Sequence, residues 1–301
     1  MVMETLRDSP RPIPLVTSRV SYLPGYTTDH RKSVVMTDSA RPGGSSTPRG
    51  RKTSAYHSNV AIYSDWFQRA EASLSRAQEL NIMVTVRADT DNVEDKSDTF
   101  FQQFNIVVAT ECSQDQLVRI NNICRENNVL FFCGDVFGMF GYTFADLLSH
   151  QFVEEKNTKV DKLTVTTTIK KEMTCVPLQD ALATHWDGIL TNKLKKMDPS
   201  YFLLLVLLAF RKKKSRDPNP AERAEDIIEL KKLRDKTLSS VGVPPEKVSD
   251  ELFRVSPVCA IVGGIMAQEI IKAASKLHEP YDNMFFFNPT TNGGFIECVG
   301  K

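Results

Sequence analysis

Apolar residues are sparse and aperiodic over the first 65 positions, then fall into helical and strand spacings from about Trp66 onward. In Arg69–Leu80, Ala70, Leu74, Ala77 and Leu80 recur near one helical face, which predicts a helix. Met83–Val86 reads as a strand. Phe100, Phe101 and Phe104 then lead into the apolar run Ile106–Thr110, which ends on a polar residue as parallel strands often do. Ser113 is placed to cap a helix reaching about Glu126, with Leu117, Ile120 and Ile123 inward. Val129–Cys133 predicts another buried strand, closed by Gly134. Strand, helix, strand at this spacing predicts a right-handed crossover in a parallel sheet.

Beyond Gly134, the glycines of Asp135–Phe144 predict a tight loop before a strand near Gly141–Asp146. Thr164–Lys171 alternates β-branched and polar residues, as an edge strand does. Ser200–Phe210 is apolar on most faces, which predicts a buried helix. Asn219 to about Leu238 is charged and amphipathic, and Val243-Pro-Pro245 stops it before another short helix. A last helix is expected from about Ser256-Pro257, with proline suited to its first turn. Gly263-Gly264 within it costs about 1 kcal/mol of helix propensity each. Such a pair is expected where another backbone packs close. Met284–Asn288 and Gly294–Cys298 predict a hairpin that adds antiparallel strands to the sheet.

These elements divide the chain into four regions. Residues 1–65 read as a divergent, disordered segment with a modest basic bias, rich in Pro, Ser, Thr, Gly and Arg. Residues 66–175 form a partial Rossmann-like α/β region, 176–255 a helical insertion, and 256–301 a helix and hairpin that complete the domain. With 301 residues, 41% hydrophobic and 25% charged, the chain has the composition of an ordinary soluble protein. A formal net charge of +1 gives no global attraction to nucleic acid or anionic membrane. The run Phe202–Phe210 is too short to span a bilayer, and no secretory signal is expected. Six cysteines at 112, 124, 133, 175, 259 and 298 form no C-x-x-C pair, so neither a disulfide framework nor a zinc site is expected.

Candidate chemistry is thin. The basic run Arg211–Arg216 reads as the solvated C-terminal end of its helix, where positive charge is favourable, rather than as a polyanion patch. Cys175, in Met173-Thr-Cys-Val-Pro177, has no neighbour that would activate a thiolate and reads as a structural thiol. His185, beside Trp186, has only Asp187 as a nearby carboxylate and reads as a packing or surface residue. Asp135 is expected to cap the loop after Cys133 or to meet a partner chain, with local capping favoured. Residues 1–65 contain no G-x-G-x-x-G; Gly43-Gly44 lacks both the spacing and a preceding strand. The chain thus reads as the back four-fifths of a nucleotide-using fold without its phosphate loop.

Phe131-Phe-Cys-Gly-Asp-Val-Phe-Gly-Met-Phe-Gly-Tyr-Thr-Phe144, Ser256–Lys272 and Phe285–Cys298 resemble the family of small subunits of SUMO-activating enzymes. Arg69–Asn81 and Tyr201–Leu208 resemble the same family, so the likeness covers about residues 69–301. That family belongs to the E1 superfamily, related to the bacterial ThiF and MoeB adenylyltransferases. The resemblance implies an α/β chain: an incomplete Rossmann-like ThiF/E1 adenylation fold with a helical insertion.

It implies a function too. In the family, a heterodimer uses Mg-ATP to adenylate the C-terminal glycine of SUMO and then captures it as a thioester. The large SUMO-activating enzyme subunit holds the ATP site, the catalytic cysteine and a zinc site. The small subunit completes the adenylation module without catalysing, and offers ATP an arginine from a motif of the form Tyr-Asp-Arg-Gln-Ile-Arg-Leu-Trp-Gly. That motif, the glycine-rich first loop and the acidic end of the second strand do not occur in this sequence. Arg49 and Arg51 stand in the wrong context to replace the arginine, so no catalytic, cofactor-binding or metal-binding residue is assigned. The expected partners are the large subunit and, through it, SUMO, with neither nucleic acid nor membrane; the expected location is the nucleus and cytoplasm. The alternatives are a regulatory or defective isoform that binds the large subunit without supporting activation and, disfavoured, an independent ThiF-like adenylyltransferase. Without the family's first two strands, Ile106–Ala109 is expected to have an exposed edge unless a partner or the leading segment covers it.

Overall fold

The computed structural model describes residues 33–37, 69–80, 85–89, 91–138, 140–160, 163–184, 186, 197–219, 222–248, 258–288 and 293–300. They divide into two compact units, 1–112 and 113–301.

In the first unit, β1 (Ser33–Thr37) pairs in parallel with β2 (Ile106–Thr110), Ser33 opposite Ile106 and Thr37 opposite Thr110. This corrects the expectation for the leading segment. The short β-branched run Ser33-Val-Val-Met-Thr37 is strand rather than disordered, and it covers an edge of β2, one of the two ways in which that edge was expected to be covered. The backbone ladder satisfies donors and acceptors that would otherwise stand open. Helix α1 (Arg69–Leu80) has the expected bounds and buries Ala70 and Ala77. The strand expected at Met83–Val86 is not borne out where it can be seen. Met83 and Val84 lie outside the described residues, Thr85 makes a single bridge and Val86 is irregular. The Val86 N–H instead donates to Gln78 Oε1 of α1 at 3.1 Å. The short helix α2 (Asp98–Gln102) carries Phe100 and Phe101, whose rings meet edge to face.

The second unit opens with α3 (Gln114–Glu126). Ser113 accepts from the Gln116 N–H and the Gln116 side chain accepts from the Ser113 N–H, a full capping box. Leu117, Ile120 and Ile123 are buried as expected. Strand β3 does not stop at Gly134; it runs Leu130–Phe137 and turns directly into β4 (Phe140–Asp146), Phe137 opposite Phe140. Gly138 supplies the positive φ of +68° that such a two-residue hairpin needs. Gly134 is needed for packing rather than turning. A Cβ there would collide with the Met266 side chain and stand 2.7 Å from the Tyr142 carbonyl.

β4 pairs with β7 (Met284–Asn288), and β7 with β8 (Gly293–Glu297), both antiparallel, as the C-terminal hairpin was expected to do. The order is therefore β3-β4-β7-β8. Every residue of β4 and β7 is buried, whereas β8 alternates between half-buried and exposed.

Thr164–Lys171 is an edge strand, as expected, in a sheet of its own. It belongs to β6 (Leu163–Thr174), which pairs along its length with β5 (Ser149–Val160) in a separate two-stranded ribbon. After the short helix α4 (Leu178–Leu182) come the buried α5 (Ser200–Lys214) and the charged α6 (Arg223–Ser240). α7 (Cys259–Ser275) lies against β3 and β4; Ser256 and Pro257, where it was expected to begin, lie outside the described residues.

Candidate functional site

The polar clusters that could carry chemistry are built around buried ions. α5 buries every residue from Ser200 to Leu208 and then Phe210 and Arg211. Arg211 sits four residues after Leu207 and seven after Leu204, so the helix period carries it onto the buried face. Its Nη1 is 2.7 Å from Asp135 Oδ2 of β3, and its Nε is 2.5 Å from Asp217 Oδ1. Nη2 donates to the other Asp217 oxygen at 2.9 Å, and the guanidinium lies 4.5 Å from the Phe137 ring centroid. Ser215 takes a left-handed conformation at the helix end, which brings Asp217 back alongside. Burial works against the guanidinium charge, but Asp135 and Asp217 outweigh it and hold the pKa of Arg211 above its ordinary value.

This overturns two expectations. Arg211 is not solvated: it is 1% exposed, while Lys212, Lys213 and Lys214 stand in solvent as expected. Asp135 is not a loop cap after Cys133. It lies within β3, accepts from the Val136 N–H at 2.8 Å and pairs with Arg211. The spacing from Leu204 and Leu207 was the signal in the sequence; a run of four basic residues hid it.

Two further clusters follow the same rule. Arg216 pairs with Glu222 and with Asp226 at 2.7 Å, and Asp226 also accepts from the Asn219 N–H at 2.9 Å. The Arg216 hydrogen bond, against opposing burial and with help from the Asn219 N–H, holds the Asp226 carboxyl below its ordinary range. Asp146, wholly buried, accepts from Asn121 at 2.8 Å and from Arg125 at 2.7 Å, and Asn121 in turn accepts from the Leu178 N–H. That network ties α3, β4 and α4 together. In the first unit, Lys96 reaches Asp89 at 2.6 Å and Asp91 at 2.8 Å.

Reactive groups are closed in. Cys175 is buried with its N–H on the Leu148 carbonyl, consistent with a structural thiol. Burial, aided by the Asp146 charge, pushes the Cys124 thiol up to about 12. Burial likewise raises the Tyr201 hydroxyl to about 12, and it donates to the Ala181 carbonyl at 2.7 Å. Of the six cysteines, four are buried and Cys259 and Cys298 are exposed. Among the described residues no group of His, Cys, Asp and Glu could hold a metal ion. His185, Arg49 and Arg51 lie outside the described residues. A cleft of about 390 Å³ is lined by Gln151, Phe152, Val153, Lys170, Lys171, Glu172 and Lys276. Lys171 there is held by Glu154 at 2.6 Å.

The close approach at Gly134 is filled by Met266, and the carboxylate beside it is neutralised by Arg211. The arrangement supports a scaffold whose ions fix helices to strands.

Comparison with known proteins bears on what such a scaffold belongs to. Residues 60–298 match the ThiF family. SUMO-activating enzyme subunit 1 of Rattus norvegicus is 44% identical over 255 residues, covering 77% of this chain and 73% of that protein. The Homo sapiens protein of the same name is 43% identical over the same shares, and that of Danio rerio 40% identical over 79% and 75%. The mixed α/β architecture agrees with an incomplete Rossmann-like adenylation fold. Similarity of this extent, spread over residues 60–298, makes the chain a member of the ThiF family and a relative of SUMO-activating enzyme subunit 1.

Proposed function

We propose that this chain is the non-catalytic small subunit of a heterodimeric SUMO-activating enzyme. It pairs with the large subunit and supports ATP-dependent adenylation of SUMO and its capture as a thioester. The observation that carries this reading is 40–44% identity to proteins named SUMO-activating enzyme subunit 1 across about three-quarters of both chains. The chemistry of the described residues is consistent with it. The buried carboxylates of the two arginine clusters and of Asp146 are engaged, and the Cys124 thiol is held protonated, so the reading assigns Mg-ATP and the catalytic cysteine to the partner. The role of this chain is then mechanical: it presents a preformed surface that completes the module. The proposed location is the nucleus and cytoplasm, where such an enzyme would meet its substrates.

The test is co-expression with the large subunit, followed by a SUMO-thioester assay with ATP on the copurified pair. A stable complex that forms thioester is expected. A stable complex that forms none moves the reading to a regulatory isoform, and failure of the full chain to bind the large subunit overturns it.

A further inference from the structure

β4 and β7 are buried along their whole length, but β6 is open on both faces. Every residue from Thr167 to Glu172 is exposed, Ile169 among them at 37%. The partner strand β5 is tied to the segment after α7. The Val153 N–H donates to the Lys276 carbonyl at 2.8 Å, and the His278 N–H donates to the Val153 carbonyl at 2.9 Å. β6 has no second neighbour among the described residues, so an extended stretch of chain stands open to a visiting protein along its outer edge.

That stretch contains Ile169-Lys-Lys-Glu172. Of the lysines in the sequence, Lys170 alone follows an aliphatic residue and has an acidic residue two positions after it. Strand alternation puts Lys170 and Glu172 on one side of β6, and Ile169 and Lys171 on the other. The two lysines are not equivalent. Lys171 Nζ lies 2.6 Å from Glu154 Oε2, and this hydrogen bond holds its pKa above the ordinary value, which keeps the amine protonated. Lys170 stands opposite Val153 in the ribbon, and its side chain makes no hydrogen bond or ion pair among the described residues. Glu172 accepts from the Ser149 hydroxyl, a neutral partner that leaves its charge uncompensated.

We propose that Lys170 is a modification site, an acceptor lysine to which SUMO is joined by an isopeptide bond through its C-terminal glycine. The inference rests on the small-subunit reading above, which puts this chain where the SUMO thioester is made. The pattern aliphatic-Lys-x-Glu is an acceptor signature of SUMO conjugation, and its physical basis is the reading of an extended segment. The aliphatic side chain and the carboxylate give the conjugating enzyme an apolar and an ionic contact on either side of the nucleophile. Unprotonated Lys170 Nζ attacks the carbonyl carbon of the thioester between that glycine and the conjugating enzyme's cysteine. A C–N bond forms, the C–S bond breaks, and the proton of the amine leaves with the thiol. The ribbon is separate from the β3-β4-β7-β8 sheet, so a modifier attached there displaces no strand of that sheet.

The experiment offers the full chain to a conjugating enzyme already charged with SUMO by an independent activating enzyme, so transfer does not depend on this chain's own activity. The modified fraction is read from gels and the attachment point from the branched peptide by mass spectrometry. Modification at Lys170 is expected. Lys170→Arg should lower the modified fraction at least tenfold, and Lys171→Arg should leave it within about twofold. Glu172→Gln should lower it severalfold while the Tm of the chain stays within a few degrees. Equal modification of wild type and Lys170→Arg, no modification of either, or transfer spread over Lys171 and other surface lysines overturns the proposal. The subunit reading is scored separately, by the thioester assay on the copurified pair. Modification at Lys170 without thioester from the pair fails that reading alone; thioester without modification fails the acceptor site alone.

Discussion

Replacing Arg211 by methionine should destabilise the second unit by about 3 kcal/mol, the low end of what removing one partner of a buried ion pair costs. The two carboxylates do not contribute equally. The Asp217 side chain is 39% exposed and rehydrates when the guanidinium goes. The Asp135 side chain is 6% exposed, so its charge cannot rehydrate as readily, although it keeps the Val136 N–H. Loss of the contact over Phe137 accounts for about 0.5–1 kcal/mol of that total. Replacing both Arg211 and Asp135, by methionine and leucine, removes the stranded charge and should recover most of the loss, because apolar pairs of similar volume often replace buried ion pairs at little cost. Trp186 provides the readout. It is buried against Tyr201 and Phe202 of α5, at 5.6 and 5.5 Å between ring centroids, so its fluorescence follows the helix that carries Arg211. Urea unfolding in a Trp66→Phe background isolates that signal. With a slope of roughly 2 kcal/mol per molar urea, the midpoint of Arg211→Met should fall by about 1.5 M. A fall under about 0.5 M, or a double variant less stable than Arg211→Met alone, would refute the argument that Arg211 anchors α5 to β3.

Other expectations are independent of that one. Asp226 has a depressed pKa, so its contribution is fully present above the unfolded value near 3.8 and is lost as pH falls below it through the folded value; Asp226→Asn should flatten the stability profile in that acidic range, measured by urea midpoints from pH 2 to 7. Thiol labelling of the native chain should modify Cys259 and Cys298 quickly and Cys112, Cys124, Cys133 and Cys175 slowly, counted by mass spectrometry over time. Ser113→Ala removes half of the α3 capping box and should cost about 1 kcal/mol in the same unfolding assay. Gly134→Ala forces a Cβ toward a backbone carbonyl 2.7 Å away and should cost about 1–3 kcal/mol, read the same way.

The periodicity of the chain was enough for α1, β2, α3, α5, β7 and β8, because each has local signals: a capping serine, an apolar stripe of one period, or paired runs around a glycine turn. Other features depended on residues far apart in the chain. β1 is a five-residue run that becomes a strand by pairing with β2, about seventy residues later, and nothing local distinguishes it from coil. Gly134 looks like a strand end in sequence; Met266, more than a hundred residues on, makes it a packing position instead. Arg211 reads as a surface charge beside three lysines until Asp135 is placed against its helix. The sequence by itself determined which segments could be helix or strand, because backbone propensity and side-chain period are local. Only the tertiary structure decided which charges are buried and which edge is covered, because burial and pairing depend on neighbours that the chain brings together only when it folds.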